Sequence, residues 1–189
     1  MAGFDFPVSG ICGIDEAGRG PLTGPVSAGA VILPEAFPIE ILDDSKVLSQ
    51  AGRERAYEVI VAGALDWAVG WATWEEIGRI NILAASLLAM KRAYCALSLE
   101  PRIVIVDGNR IPQLERPAYA LIKGDSILPS IMAASILAKV ARDRVMDRLD
   151  SIEPWFGFAR NKGYPTKAHR EAIKKTGLSL WARPGFRIG

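Results

Sequence analysis

The sequence predicts a mixed α/β fold, and three observations carry that prediction. Apolar, strand-like runs open the chain, a capping box starts a helix-spaced stretch near its middle, and helices then alternate with strands. Residues 11–15 form an apolar run ending in acid, and residues 26–33 form a second run rich in Val, Ala and Ile; both read as strands. Between them Gly18, Gly20, Pro21, Gly24 and Pro25 are turn material. Asp43, Asp44, Ser45 and Lys46 open a polar loop, residues 50–64 read as a helix, and residues 65–71 alternate as a third strand. Thr73 and Glu76 form a T-x-x-E box, after which Ile77, Ile80, Leu83, Ala84, Leu87 and Leu88 keep helical spacing. Residues 102–106 are a dense β-branched run ending at Asp107, and residues 118–122 are a short strand ending near Asp125. Pro129 suits the first turn of a helix with Met132, Ala133, Ile136, Leu137 and Val140 as its buried stripe. Ser135, Lys139 and Arg142 share a row on a different face of that helix. Residues 166–176 read as a last helix, with Gly177 as its stop.

Composition narrows the function. At 189 residues the chain fits one domain, or one domain with a small appendage. A formal charge of +2 and a pI near 8.6 give no global field for a polyanion, so any such site must be local. Cys12 and Cys95 sit far apart in apolar runs, which suits buried free thiols in a reducing compartment and makes a cytoplasmic location the expectation. The first seven residues carry no signal-peptide pattern, and no apolar run reaches the roughly 18 residues of a membrane span.

The chemistry concentrates at Asp15-Glu16, two carboxylates that lead directly into Gly18-Arg19-Gly20. Carboxylates supply hard oxygen ligands for Mg²⁺ or Mn²⁺, glycines let backbone amides approach an anion, and arginine grips one with a planar fork. Asp107 and Asp125 also follow strands, and the ends of neighbouring strands gather in space. That turns scattered acids into a cluster which divalent cations would compensate. Asp107 and Asp125 equally suit ordinary turn or N-cap positions. Adjacent residues in a regular strand point to opposite faces, so Glu16 joins Asp15 only if the strand ends or bulges there, and Gly18 and Gly20 suggest an early ending. The spacing matches neither a dinucleotide fingerprint nor a Walker loop. His169 lies in a basic helix and reads as structural or as a peripheral phosphate contact, and neither Ser45 nor Ser135 has a base nearby. Arg19, Lys46, Lys139, Arg142, Lys162 and Lys167 could hold a phosphate backbone if they share a face with the acids. Tyr164, set among basic residues, suits stacking on a sugar or base, or pinning the loop before the last helix.

Taken together, Gly13-Ile14-Asp15-Glu16-Ala17-Gly18-Arg19-Gly20-Pro21, Leu42-Asp43-Asp44-Ser45-Lys46, Val106-Asp107-Gly108-Asn109, Lys123-Gly124-Asp125-Ser126, the segment from Ala133 to Asp143, and Lys162-Gly163-Tyr164-Pro165-Thr166 resemble ribonuclease HII. The resemblance spans nearly the whole chain in order. It implies an RNase H-like mixed sheet flanked by helices in a single catalytic domain over residues 1–189, with about residues 150–189 forming a helical, substrate-contacting appendage. It also implies a monomeric endonuclease that uses two divalent cations, Mn²⁺ or Mg²⁺. Such an enzyme cuts the RNA strand of RNA/DNA hybrids and incises at single ribonucleotides in duplex DNA, leaving 5′-phosphate and 3′-hydroxyl ends. Carried onto matching positions, Asp15, Glu16, Asp107 and Asp125 are the catalytic, metal-binding acids, with Asp15 bridging. Gly18, Arg19 and Gly20 contact the 2′-hydroxyl and flanking phosphates, Tyr164 packs on the neighbouring deoxyribose, and Lys46 holds a phosphate; Ser135 and Lys139 are further substrate contacts. Asp125 separates the chain from ribonuclease HIII, whose fourth acid is typically glutamate. The tail departs from the family's His-Arg-Arg-Ser-Phe pattern and reads Trp181-Ala182-Arg183-Pro184-Gly185-Phe186.

Overall fold

Small residues on two strands decide how the layers come together. The computed structural model describes residues 10–42 and 48–187. Its sheet holds five strands in the order β3-β2-β1-β4-β5, formed by β1 (Ile11–Ala17), β2 (Val26–Ile32), β3 (Asp66–Ala72), β4 (Ile103–Asp107) and β5 (Ala118–Leu121). β1, β2 and β3 pair antiparallel, whereas β4 runs parallel to β1 and β5 parallel to β4. The helices are α1 (Gln50–Gly63), α2 (Trp74–Cys95), α3 (Pro129–Ile152), the short α4 (Phe158–Asn161) and α5 (Lys167–Thr176). A Cβ at Gly13 would lie 2.2 Å from the Ser130 carbonyl carbon, and one at Gly29 would lie 2.3 Å from the Ala134 oxygen, so α3 sits directly on β1 and β2. Gly70 plays the same part for α2, where a Cβ would come within 2.2 Å of the Ala89 oxygen.

The sheet is therefore covered on both faces, and the central strands are buried on both sides, as mixed sheets between helices require. Cys12, Ile14, Val104 and Val106 pack with the α2 side, while Val31 and Leu33 pack with α1 and α3. Gly13 and Asp15 alternate with Cys12 and Ile14, which directs Asp15 toward α3. A third apolar cluster holds Leu22, Met146, Phe156, Phe158 and Ile173 together beneath the C-terminal segment. Among the described residues, no helix is long and apolar enough to cross a membrane.

The capping box forms as the sequence predicts. Glu76 N–H donates to the Thr73 hydroxyl at 3.2 Å and Thr73 N–H donates back to Glu76 Oε2 at 2.9 Å. Arg92 adds a two-pronged pair to Glu76 at 2.7 and 2.8 Å; together with the Thr73 amide it holds the Glu76 carboxyl down to about 2. Replacing Thr73 with Ala is expected to cost about 1 kcal/mol, read as a lower urea midpoint with an unchanged slope.

Two sequence expectations are corrected here. The stretch opened at Thr73 is not one uninterrupted helix: Asn81 has φ 66° and ψ 167°, and its side-chain oxygen accepts from Leu83 N–H at 3.0 Å and Ala84 N–H at 3.2 Å. Asn81 thus caps a second helical segment and resets its phase. Ile80 and Leu83 are left exposed, while Ile77, Ala85, Ala89, Met90 and Ala93 form the buried stripe. The two thiols also differ, with Cys12 buried and pushed up to about 12 by desolvation, and Cys95 exposed.

Candidate active site

Three acids converge where the parallel strands end. The register Ile14↔Val106 sets Asp15 of β1 beside Asp107 of β4. Lys123, in a left-handed conformation at φ 60°, turns the chain after β5 into a short 3₁₀ turn carrying Asp125. Gly124 N–H donates to Asp107 Oδ1 at 2.7 Å and anchors that turn. Asp15, Asp107 and Asp125 each present a carboxylate oxygen, and these oxygens lie within 4.8 Å of one another. An all-oxygen set of this size fits hard divalent cations.

Asp15 is 5% exposed, and its carboxyl is held well above the usual range, first by burial and then by the charges of Glu16 and Asp107. The Ser135 hydroxyl and the Glu16 amide, the latter donating at 2.7 Å, pull the other way. Like charges gathered in a buried position favour the proton over the anion unless a cation takes its place.

Glu16 does not join the three. β1 runs on through Ala17 rather than stopping at the glycines, with its pairing to β2 unbroken at Glu16, so the early ending that Gly18 and Gly20 suggest is not found. Its carboxylate pairs with Arg19 at 3.3 Å. Burial raises its pKa against the pull of Arg19, and the charge of Asp107 adds to the rise.

The loop after β1 is built around two buried guanidiniums. Gly18 has φ 98°, and a Cβ there would lie 2.1 Å from Arg142 Nε. Arg142, fully buried, donates to the carbonyls of Pro25 at 2.9 Å, Lys162 at 2.9 Å and Thr23 at 3.2 Å. Arg183 donates to Gly18, Arg19, Pro21, Gly24 and Pro25 at 2.7 to 3.1 Å. Burial lowers both, Arg142 to about 10 and Arg183 to about 9. The Tyr164 ring lies against Gly20, where a Cβ would sit 3.6 Å from it, and Leu22 N–H donates to the Gly163 carbonyl at 2.8 Å.

The row of Ser135, Lys139 and Arg142 therefore divides into three environments. Ser135 is buried against Asp15, Lys139 pairs with Asp143 at 2.7 Å and lies 5.8 Å from the Tyr164 ring centre, and Arg142 is buried under the loop. Lys162 pairs with Asp147, and Lys167 is exposed beside Glu171. Lys46 lies outside the described residues. His169 is a core residue: its Nδ1 lies 2.9 Å from the Tyr164 carbonyl, and its ring meets Phe158 edge-on at 5.5 Å.

The model of the family described as Ribonuclease HII matches residues 12–187. The chain belongs to the ribonuclease HII family. It is 54% identical over 178 residues to the ribonuclease HII of Laribacter hongkongensis (strain HLHK9), covering 93% of this chain and 90% of that protein. Its fold is similar to that of ribonuclease H2 from Pyrococcus horikoshii OT3, with a TM-score of 0.76 and 26% identity over 94% of each chain. It is likewise similar to a chain of the PCNA:RNase HII complex from Archaeoglobus fulgidus, with a TM-score of 0.75 and 28% identity over 94% of this chain and 95% of that one. Membership makes the chain a ribonuclease H endonuclease with an RNase H-like fold. Within this ribonuclease HII, Arg183 is the residue that sequence reasoning passed over. Its signal was faint, a lone cation between Ala182 and Pro184, because partners that are all backbone carbonyls leave no trace in side-chain spacing.

Proposed function

We propose that this ribonuclease HII incises duplex DNA at a single embedded ribonucleotide as well as cutting the RNA strand of hybrids, leaving 5′-phosphate and 3′-hydroxyl ends. The observation that carries the reading is the contact between Gly20 and the Tyr164 ring, at the end of the strand that bears Asp15. Asp15, Asp107 and Asp125 would hold the cations, with Glu16 as the fourth acid. Bound Mg²⁺ or Mn²⁺ supplies the Lewis-acid chemistry of phosphodiester hydrolysis, lowering the pKa of a water and stabilising the departing oxygen.

The chain's own residues do the selecting. Locally, only the 2′-hydroxyl separates RNA from DNA. Backbone amides of Gly18, Arg19 and Gly20 can reach it without a side chain intervening, and Arg19 can grip a flanking phosphate. Tyr164, 38% exposed, offers its free face to the next sugar, and Lys139 lies beside it for the backbone. Lys46 would hold a phosphate near the cut, and Ser135 acts on substrate through Asp15. The segment from about residue 150 onward serves as the substrate-contacting appendage of one catalytic domain, in a monomeric, cytoplasmic enzyme.

The test is a DNA duplex carrying one ribonucleotide, incubated with Mg²⁺ or Mn²⁺ and with chelator. A nick at the ribonucleotide that chelator abolishes is the expected outcome, and intact duplex at stoichiometric enzyme would overturn the reading. Tyr164→Ala is expected to lose about 1–3 kcal/mol of preference for the embedded ribonucleotide over a uniform hybrid, with little change in melting temperature. An unchanged preference ratio would remove Tyr164 from junction sensing.

A further inference from the structure

We infer that Arg183, in the C-terminal tail, is a positioning residue for ribonucleotide recognition: its guanidinium collects the carbonyls of the loop between β1 and β2 and so leaves the loop's amides for substrate. The inference rests on the reading of Gly18, Arg19 and Gly20 given under Proposed function. Arg183 is 3% exposed and reaches the loop from the far end of the chain. Its Nε donates to Gly24 at 2.7 Å, Nη1 to Arg19 at 3.1 Å and Pro21 at 2.8 Å, and Nη2 to Gly18 at 2.7 Å and Pro25 at 2.9 Å. A guanidinium has five N–H donors, and here all five are used on main-chain oxygens of one loop.

A buried cation facing five carbonyls is a costly arrangement to keep for packing alone. Taking a charge out of water is costly, and no carboxylate lies within ion-pair distance of Arg183 among the described residues. What the arrangement achieves is directional. A peptide unit whose oxygen is turned inward carries its N–H toward the opposite side. Among the described residues, no group accepts from the N–H of Arg19 or of Gly20. Those two donors are the ones a 2′-hydroxyl or phosphate oxygen would meet.

The tail is laid down to support this. Arg183 N–H donates to the Leu22 carbonyl at 2.9 Å, Gly24 N–H donates to the Trp181 carbonyl at 2.9 Å, and Thr23 pairs with Ala182 as an antiparallel bridge. Arg142 shares the Pro25 carbonyl at 2.9 Å, so the loop is held both from α3 and from the tail.

Arg183→Lys tests the inference, because an ammonium keeps the charge yet cannot present five donors in one plane. In steady-state cleavage of the one-ribonucleotide duplex with Mn²⁺, KM is expected to rise about tenfold or more while kcat stays within about threefold. Calorimetric titration of Mn²⁺ into Arg183→Lys should match the wild type. Arg183→Gln, which avoids burying an unmatched charge but offers only two N–H donors to the five carbonyls, should raise KM at least as far. Met90→Ala, which loosens the apolar cluster on the α2 side of the sheet, serves as the control and should lower the melting temperature without moving KM. A wild-type KM in the folded Lys or Gln variant, or an equal rise in Met90→Ala, overturns the inference. Failure of the wild type itself to cut the duplex would instead overturn the proposed function.

Discussion

Asp15→Asn is expected to cut an RNA/DNA hybrid at least about 10³-fold more slowly than the wild type, a loss of roughly 4 kcal/mol in transition-state stabilisation. The same variant should melt higher than the wild type when both are metal-free at neutral pH. The reason is electrostatic: burial and the neighbouring charges of Glu16 and Asp107 raise the Asp15 carboxyl well above its ordinary 3.8. A carboxyl raised by folding contributes stability that is complete below its unfolded value and is lost as pH rises through its folded value. Asn carries no charge to lose, so the gap between variant and wild type should open with rising pH and close below about pH 4. Adding Mn²⁺ should raise the wild-type melting temperature and leave the variant nearly unmoved. Thermal melts across pH with and without metal, paired with a cleavage time course, check each part. A variant that retains a tenth of wild-type activity, or that melts lower at neutral pH without metal, would contradict the account.

Gly18→Ala is expected to lose about 2–3 kcal/mol of stability together with most of the activity on embedded ribonucleotides. Two costs add. The backbone at φ 98° is one that L side chains rarely adopt, and the new methyl would meet Arg142 Nε at 2.1 Å and Cδ at 2.4 Å. Arg142 cannot withdraw cheaply, because its donors already serve the Pro25, Lys162 and Thr23 carbonyls. By contrast, Gly20→Ala places its Cβ at ordinary contact distance from Tyr164 and should fold nearly as the wild type does. Urea unfolding of the two variants side by side separates them, and equal midpoints would mean that the loop yields more readily than its packing indicates.

The strands were legible because β-branched and small apolar residues stop abruptly at acids or glycines. That same punctuation brought Asp15, Asp107 and Asp125 into view as one group, since strand ends in one sheet must be neighbours. Glu16 was harder. Glycines two and four residues on suggested that the strand had finished, but main-chain pairing with β2 carries it to Ala17, and pairing rather than composition sets the side-chain alternation. The break at Asn81 escaped for a related reason: its side chain caps locally while the apolar spacing around it still passes for one helix. Arg142 and Arg183 were hidden most completely. Arg142, at helical spacing among charged residues, suits a solvated face, Arg183 stands alone in the tail, and nothing in side-chain order announces that carbonyls of a distant loop surround either.

The link between the tail and the loop also bears on how the molecule is born. Gly18 and Arg183 are separated by 165 positions, yet one hydrogen bond joins them. During synthesis, β1, β2 and the helices that cover them emerge and can pack long before residue 183 has left the ribosome. The carbonyls of the loop then wait, hydrated, for a partner still to be translated. A nascent chain halted before that point would carry its three acids already gathered but the loop after β1 still unheld, so the backbone around Gly18 would be the last part of the molecule to be fixed.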